Sequence, residues 1–565
     1  MKSDITLSIV GSGGDGAVAA GDIISMACAG TGLHVIKTEA YGPQIRGGES
    51  SSTVRISAAP LTSQADSIDA LVVFNWADFA RFADEMNLAD DCVVFYESKD
   101  APPDGFAGKL IPVDFAETPK SKNIVAVGIL TALFGLPVEG IRAGIRHRFS
   151  KKTAAVIDTN LQAFDRGLAL GAETPSHKLS FKPSAPRLLM SGNEASALGA
   201  LHAGCSFFAG YPITPSSEIL HFLSEWLPKI GGTCLQTEDE LAAIGAVVGA
   251  SFAGSKAMTA TSGPGLSLMA EMLGLSSIAE IPSVIVNVQR GGPSTGIPTK
   301  SEQSDLLHAL FASHGDTPRV VLAPCDVEDA FHTTVDAFNI AEEYQIPAIV
   351  LSDQLIGQRR ETIDAASLEH EVRRRRLPAP SDDAEYRRYA DTEDGVSPMS
   401  VPGMAGGIYQ TNGLEHDVTG RPSAMYAVHE RMNGKRTRKM KAIAEEYRLF
   451  RRFGSVEPEL GILCWGSSTG SVHEAIEIMN AAGRNVAAFV PRILAPLPIE
   501  ELQDFVDSCP RILVIELSHS AQFYQYLRSQ IDLPRTKTLV HARSGGKSLS
   551  VSEIMQMATL EEVTA

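Results

Sequence analysis

Cysteine is scarce in this chain and never closely paired. Its seven cysteines, Cys28, Cys92, Cys205, Cys234, Cys325, Cys464 and Cys509, include no C-x-x-C spacing. That spacing encodes neither a disulfide framework nor a cysteine-ligated iron–sulfur cluster, and a reduced, cytoplasmic setting is expected. Long apolar runs are also missing. The longest stretch of low polarity, Leu241 to Gly254, is 14 residues rich in Gly and Ala, whereas a membrane-spanning helix needs about 20. Met1 to Val10 shows no basic segment followed by an apolar one, so no secretory leader is expected. Nor is there basic excess, since the net charge is -18. A general nucleic-acid binder carries the opposite sign. Neither nucleic acid nor a membrane is therefore an expected partner, although local basic pockets for anionic ligands remain compatible with the total.

The rest of the composition is that of a globular enzyme-sized chain. Its 565 residues are 44% hydrophobic and 21% charged, which allows cores of normal size and roughly two to four domains. Over residues 1–185, short apolar segments such as ITLSIV, ALVVFNW (Ala70–Trp76) and CVVFYE (Cys92–Glu97) alternate with helical patterns. The alternation predicts a mostly parallel α/β domain, closed by a linker at Thr174–Pro186. Residues 186–360 repeat the pattern with KAMTATS, SVIVNVQ and AIVLSD as strands. Residues 361–455 differ. Arg373–Arg376 is a run of four arginines, and a basic helical stretch runs from His429 to Phe453; the segment reads as a solvated connector. Residues 456–565 form a last small α/β domain around LGILCWGSS and RILVIEL. The fold class is α/β, with several Rossmann-like parallel-sheet domains and no fixed-period repeat.

Several loops between these elements have chemical character. GSGGDG (Gly11–Gly16) follows the first strand. As G-x-G-x-x-G it suits a dinucleotide, with Glu39 placed roughly 20 residues on for a ribose. As G-D-G it resembles the start of the diphosphate–magnesium motif of thiamine enzymes, but that resemblance implies an asparagine soon afterwards, and the first in this chain is Asn75. The third reading is a tight strand-to-helix turn that serves packing. YGPQIRGGES (Tyr41–Ser50) surrounds Arg46 with glycines; it offers amides and a guanidinium to an anion, or it is a rigid turn with Arg46 in an ion pair.

The second unit carries the strongest signals. In GYPITPSSE (Gly210–Glu218) two prolines fix the chain around Thr214, ahead of a helix expected near Ser216. A hydroxyl there suits a small anion or simply caps the helix. Glu240 stands before a helix faced with Ala and Gly, in QTEDELAAIGAVVGASFAG. Burial of such a carboxyl against apolar groups favours its protonated form, a useful property for proton exchange with a cofactor nitrogen. Glu238 and Asp239 suit the plainer role of helix-start acids. TATSGPG (Thr259–Gly265) is a further glycine turn. In NVQRGGPSTGIPTKSEQSD, Arg290 leaves a buried strand, where it is placed to grip a carboxylate bidentately or to form a structural ion pair. Thr299 is expected to return to the same place.

Taken in order, GYPITPSSE, EDELAAIGAVVGASFAG, TSGPG and QRGGPSTGIPT resemble the alpha subunit of the 2-oxoacid:ferredoxin oxidoreductases. Residues 1–185, with GSGGDG and YGPQIRGG, resemble the gamma domain of those enzymes, fused in front. Residues 186–360 correspond to their pyrimidine-binding thiamine diphosphate domain, 361–455 to a connector, and 456–565 to a transketolase C-terminal-like domain. The resemblance implies a thiamine-enzyme fold and a CoA-dependent oxidative decarboxylation of a 2-oxoacid. The fused order resembles the 2-oxoglutarate enzymes, which form succinyl-CoA and CO2 reversibly. It makes Glu240 the residue that activates thiamine diphosphate, with Ile213, Ser262 and Gly263 beside the cofactor. Thr214, Arg290 and Thr299 become catalytic and substrate-binding residues. Lys300 is assigned to a distal carboxylate, and Arg46 and Gly47 to coenzyme A. No metal is expected on this chain. Mg2+ and a [4Fe-4S] cluster are expected on a partner beta subunit, in a dimer of heterodimers that passes electrons to ferredoxin.

Two motifs depart from the pattern. Asp15 replaces the glutamine usual in the gamma-domain turn, and VIELSHSAQ keeps Glu516 and Gln522 of the V-x-E-x-N-x-x-G-Q signature but carries Ser518 and Ala521.

Overall fold

The computed structural model describes residues 4–42, 48–106, 108–175, 178–379 and 386–559. It divides into two compact units, the first built from Met1–Ser191 with Gln358–Ser367 and Ser550–Ser552, the second from Gly192–Gly357 with most of the remaining chain. Among the described residues no helix is long and apolar enough to cross a membrane.

The first unit holds an eight-stranded sheet. Its order is Lys109–Val113, Leu88–Glu97, Ile68–Val73, Asp4–Ser12, Glu49–Ser57, His34–Tyr41, Arg360–Ile363 and Leu188–Ser191. The first four strands run parallel; the rest pair antiparallel. The sheet is thus more mixed than the α/β alternation predicts. The reason is local: Tyr41 pairs with Ser50, so the chain turns straight back instead of crossing over through a helix, and only an antiparallel partner can follow a short connection. The last two strands, 360–363 and 188–191, reach this sheet from sequence beyond residue 185. The core lies between the sheet and the helices Ala17–Ala29 and Lys122–Phe134, the latter buried continuously from Ile124 to Thr131.

In the second unit a seven-stranded sheet runs in the order Ile493–Ala495, Val320–Leu322, Pro347–Asp353, Ser283–Gln289, Ala257–Thr261, Phe207–Gly210, Thr233–Gln236. All neighbours are parallel except Ile493–Ala495. Every residue of Ser283–Gln289 is buried. A strand covered on both faces must be apolar on both, hence the unbroken SVIV run, and each buried Val or Ile contributes roughly 1.5–3 kcal/mol. A second sheet, Phe450–Gly454, Val486–Pro491, Leu460–Leu463, Arg511–Glu516 and Thr538–Ala542, is parallel apart from its first strand. One apolar core joins the two sheets, with Ile285 and Leu351 from the first and Leu463, Trp465 and Val514 from the second.

Within segment 361–455, read from its charges as a solvated connector, several of the charged residues are buried. Arg375 is buried, grips both oxygens of Glu342 at 2.7 Å and donates to the Ser251 carbonyl at 2.6 Å. Helix Tyr426–Glu446 sends Lys435 and Lys439 into the interior, each 2.6 Å from Glu280, while Arg388 donates to the Glu280 carbonyl at 2.7 Å. Charge runs are solvated only when nothing buried complements them. Here Glu280 and Glu342 do, and burial of a charge requires such a partner.

Candidate active site

Four neighbouring parallel strands of the seven-stranded sheet end at one edge, and each is followed by one of the sequence motifs. Thr233–Gln236 leads to Glu240, Phe207–Gly210 to Thr214, Ala257–Thr261 to Ser262 and Gly263, and Ser283–Gln289 to Arg290. The carboxyl edge of a parallel sheet is where ligands of open α/β folds bind.

The GYPITPSSE loop is held from two sides. Asn193, buried in helix Gly192–His202, donates to the Pro215 carbonyl at 2.9 Å and to Glu218 at 3.0 Å. Arg290 donates to the Thr214 carbonyl. Ile213 closes the turn through its carbonyl, which accepts from the Ser216 amide at 2.9 Å. Helix Ser217–Trp226 follows, and Ser216 caps it without a side-chain bond. The Ser216 hydroxyl is used instead on the Ile213 carbonyl, at 3.1 Å.

Arg290 is only 7% exposed, and its Nε has no partner. Burial pulls the guanidinium below its ordinary value, and the charge of Asp305 opposes that pull. The loop after Arg290 closes on itself. Gly291 donates to the Lys300 carbonyl at 2.9 Å, and Ile297 donates to the Gly291 carbonyl at 2.8 Å. Thr299 and Lys300 therefore return to the strand end that carries Arg290.

Glu240 is the first residue of helix Glu240–Phe252. Asp239 caps that helix, accepting from the Ala242 amide at 2.7 Å, which leaves the Glu240 carboxylate free of capping duty. Glu240 is 6% exposed. It packs against Gly265 at the start of helix Gly263–Ile278, where a Cβ would stand 2.7 Å from its Oε1, and it accepts no hydrogen bond from any described residue. Asp305 approaches the same helix start: a Cβ on Gly263 would be 2.9 Å from its Oδ2. Burial pushes the Asp305 carboxyl up, and a hydrogen bond from Asn287, at 3.0 Å, opposes the rise.

Unpartnered polar atoms gather at this edge. Ser262 Oγ, Asn287 Oδ1 and Arg290 Nε are all buried and unbonded; Thr261 and Asn287 are register partners on adjacent strands. Buried polar groups are normally satisfied, and one left unmade costs about 1–3 kcal/mol. A polar ligand that supplies those bonds suits this edge. An unbonded carboxylate beside small residues fits an aminopyrimidine, and an unbonded buried guanidinium nitrogen fits a carboxylate.

In the first unit the GSGGDG turn has filled its own anion position. The Asp15 carboxylate accepts from the Ser12 amide at 3.0 Å and pairs with Lys122 at 2.6 Å. The Ser12 hydroxyl is bound to Asp78 at 2.6 Å. The Ser12 amide is thus already used within the turn, which favours its packing reading over that of a dinucleotide cradle. Arg46 and Gly47 lie outside the described residues.

Sequence reasoning passed over Asn193, Asp305 and the acid–amide pair Glu302 and Gln303. For Asp305, Glu302 and Gln303 the only signal was their position in the NVQRGGPSTGIPTKSEQSD stretch; Asn193, in helix Gly192–His202, gave none. At VIELSHSAQ, Glu516 accepts from the amides of Phe523 and Tyr524 at 2.9 and 3.0 Å and so caps helix Gln522–Gln530. Ala521 sits at φ 55°, a left-handed position that explains a glycine in the signature.

Three family descriptions match the chain: "Pyruvate ferredoxin/flavodoxin oxidoreductase" over residues 6–170, "Pyruvate flavodoxin/ferredoxin oxidoreductase, thiamine diP-bdg" over 198–435, and "Pyruvate:ferredoxin oxidoreductase core domain II" over 459–554. The 2-oxoglutarate synthase subunit KorA of Methanothermobacter thermautotrophicus is 38% identical over 374 residues, covering 65% of this chain and 96% of its own length. The 2-oxoacid:ferredoxin oxidoreductase subunit alpha of Sulfolobus sp is 31% identical and covers 91% of this chain and 90% of its own. The structure of 2-oxoglutarate:ferredoxin oxidoreductase from Magnetococcus marinus, with 2-oxoglutarate, coenzyme A and succinyl-CoA bound, superposes with a TM-score of 0.94 at 36% identity, covering 99% of each chain. The second unit thus contains a thiamine diphosphate-binding domain, and the chain belongs to the 2-oxoacid:ferredoxin oxidoreductases.

Proposed function

We propose that this chain, with a beta subunit carrying Mg2+ and a [4Fe-4S] cluster, oxidatively decarboxylates 2-oxoglutarate to succinyl-CoA and CO2 and delivers the electrons to ferredoxin. The observation that carries the site is the Glu240 side chain, 6% exposed and accepting no hydrogen bond from a described residue, at the edge where the buried Arg290 Nε is unbonded. The choice of 2-oxoglutarate is supported by the KorA relatives and by the ligands of the Magnetococcus marinus enzyme.

Thiamine diphosphate, when bound, supplies an electron sink for the carbon that loses CO2. This chain's residues do the rest. Glu240 holds or shares a proton at the aminopyrimidine ring; Ile213, Ser262 and Gly263 border the cofactor. Arg290 binds the substrate's 1-carboxylate, helped by the hydroxyls of Thr214 and Thr299. Lys300 receives the distal carboxylate. Arg46 and Gly47 belong to the approach of coenzyme A. Two such alpha–beta pairs make the assembly.

The test is anaerobic reduction of methyl viologen by the co-purified complex, with thiamine diphosphate, Mg2+ and coenzyme A. The expected outcome is 2-oxoglutarate-dependent reduction that needs both subunits and coenzyme A. A higher kcat/KM for pyruvate or a branched-chain 2-oxoacid overturns the substrate assignment. A complex inert to every 2-oxoacid overturns the activity.

A further inference from the structure

Segment Ser301–Asp305 leads from the Arg290 loop to helix Leu306–Phe311, and it is fastened at almost every residue to the five-stranded sheet domain. Gln303 is fully buried. Its amide donates to the Leu517 carbonyl at 2.7 Å, its side-chain Oε1 accepts from the Leu517 amide at 2.9 Å and from Ser468 at 3.3 Å, and its Nε2 donates to the Trp465 carbonyl at 2.8 Å. Trp465 and Ser468 follow strand Leu460–Leu463, and Leu517 follows Arg511–Glu516. These two strands are adjacent and parallel, while the next strand in sequence, Val486–Pro491, lies on the other side of Leu460–Leu463. They therefore flank the point where the winding of the sheet reverses, the crevice in which open α/β domains bind ligands. Here Gln303 occupies it.

Glu302 ties the same segment to both ends of the loop system. One oxygen accepts from the Gly292 amide at 3.1 Å, two residues past Arg290; the other accepts from the Gly545 amide at 2.9 Å. Gly546 donates to the Ser301 carbonyl at 2.7 Å. Gln522 completes the fastening by donating to the Ser304 carbonyl at 2.7 Å and accepting from the Leu307 amide at 3.0 Å.

We infer that the last domain acts as a socket for the substrate loop, and that Glu302, Gln303 and Gln522 are positioning residues that set where Arg290, Thr299 and Lys300 stand. The inference rests on the substrate-binding role proposed for those three residues. The socket needs no ligand of its own, because the loop's amide and carboxylate take the bonds that a ligand would take at such an edge. Rigid placement of a carboxylate-binding loop changes affinity for the substrate more than it changes affinity for any ligand bound elsewhere.

The test uses the co-purified alpha–beta complex carrying Gln522→Ala, with Gln303→Glu as a second variant. Gln303→Glu keeps both bonds to Oε1 and turns the Trp465 contact repulsive. Each variant is expected to raise the KM for the 2-oxoacid about tenfold, the equivalent of one lost positioning bond, with kcat and the KM for coenzyme A unchanged. Amide hydrogen exchange over residues 291–300 is expected to accelerate in both. Wild-type exchange over 291–300, or a coenzyme A KM that rises in step with that of the 2-oxoacid, overturns the socket. If the wild-type complex turns over no 2-oxoacid, it is the proposed activity that fails, and exchange over 291–300 decides the socket by itself.

Discussion

Gly265 gives Glu240 its place. A Cβ on Gly265 would stand 2.7 Å from Glu240 Oε1 and 2.0 Å from Thr261 Oγ1, so the carboxylate lies flat against the start of helix Gly263–Ile278 only because no side chain intervenes. Gly265→Ala is expected to displace Glu240, to cost about 1–3 kcal/mol by overpacking, and to lower kcat by at least tenfold. Glu240→Gln removes the charge and leaves the packing. It is expected to reduce kcat by a factor of about 10²–10⁴, the usual worth of a general acid–base group, without lowering Tm, since Glu240 makes no bond to the described protein. Thermal melts beside viologen assays check both; a Tm that falls in Glu240→Gln marks a structural residue instead.

Arg290 has two duties, one to the Thr214 carbonyl and one left open at Nε. Arg290→Lys keeps the charge and loses the planar fork. The expected result is a KM for the 2-oxoacid raised roughly 10–100-fold, the value of about 1.5–3 kcal/mol for a hydrogen bond to a charged group, with coenzyme A affinity intact. Initial-rate kinetics over both substrates read this directly. An unchanged KM removes Arg290 from the carboxylate site.

Glu280 lies between Lys435 and Lys439 at 2.6 Å each. Burial raises its carboxyl, but Lys435, Lys439 and Arg388 outweigh that and hold it below the carboxylate range. Burial also pulls Lys439 down to about 7 despite the attraction of Glu280. Between pH 7 and the ordinary lysine value, the unfolded chain then binds more protons than the folded one at this residue, so its contribution favours folding increasingly as pH rises. Glu280 works at the other end: its share of stability is present above its unfolded value and is lost as pH falls through the folded one. Glu280→Gln strands two buried cations and is expected to cost about 3–5 kcal/mol. The loss should be larger at pH 6 than at pH 9, because only the higher pH lets the lysines shed charge. Melting curves at the two values test the sign; an equal loss at both refutes it.

Most strands, and the loops that bear chemistry, are legible in local residue patterns. Val-rich stretches such as SVIVNVQ read as covered strands, and the loops after them read as candidate anion sites one at a time; it was the resemblance of the ordered motifs that drew Thr214, Glu240, Ser262 and Arg290 into one group. What only the tertiary structure decided are the partners distant in sequence. The Gln303 bonds reach 162 and 214 residues along the chain, and no local pattern marks a buried amide whose acceptors come from another sheet. Arg375 looked as solvated as the rest of the arginine run because its complement, Glu342, lies 33 residues away on helix Val327–Tyr344. The GSGGDG glycines left a dinucleotide cradle and a packing turn both open in the sequence, whereas the return of Asp15 onto the Ser12 amide is visible only in the fold. Local propensity and hydrophobic period are written residue by residue; the satisfaction of buried polar groups is settled only when distant segments meet.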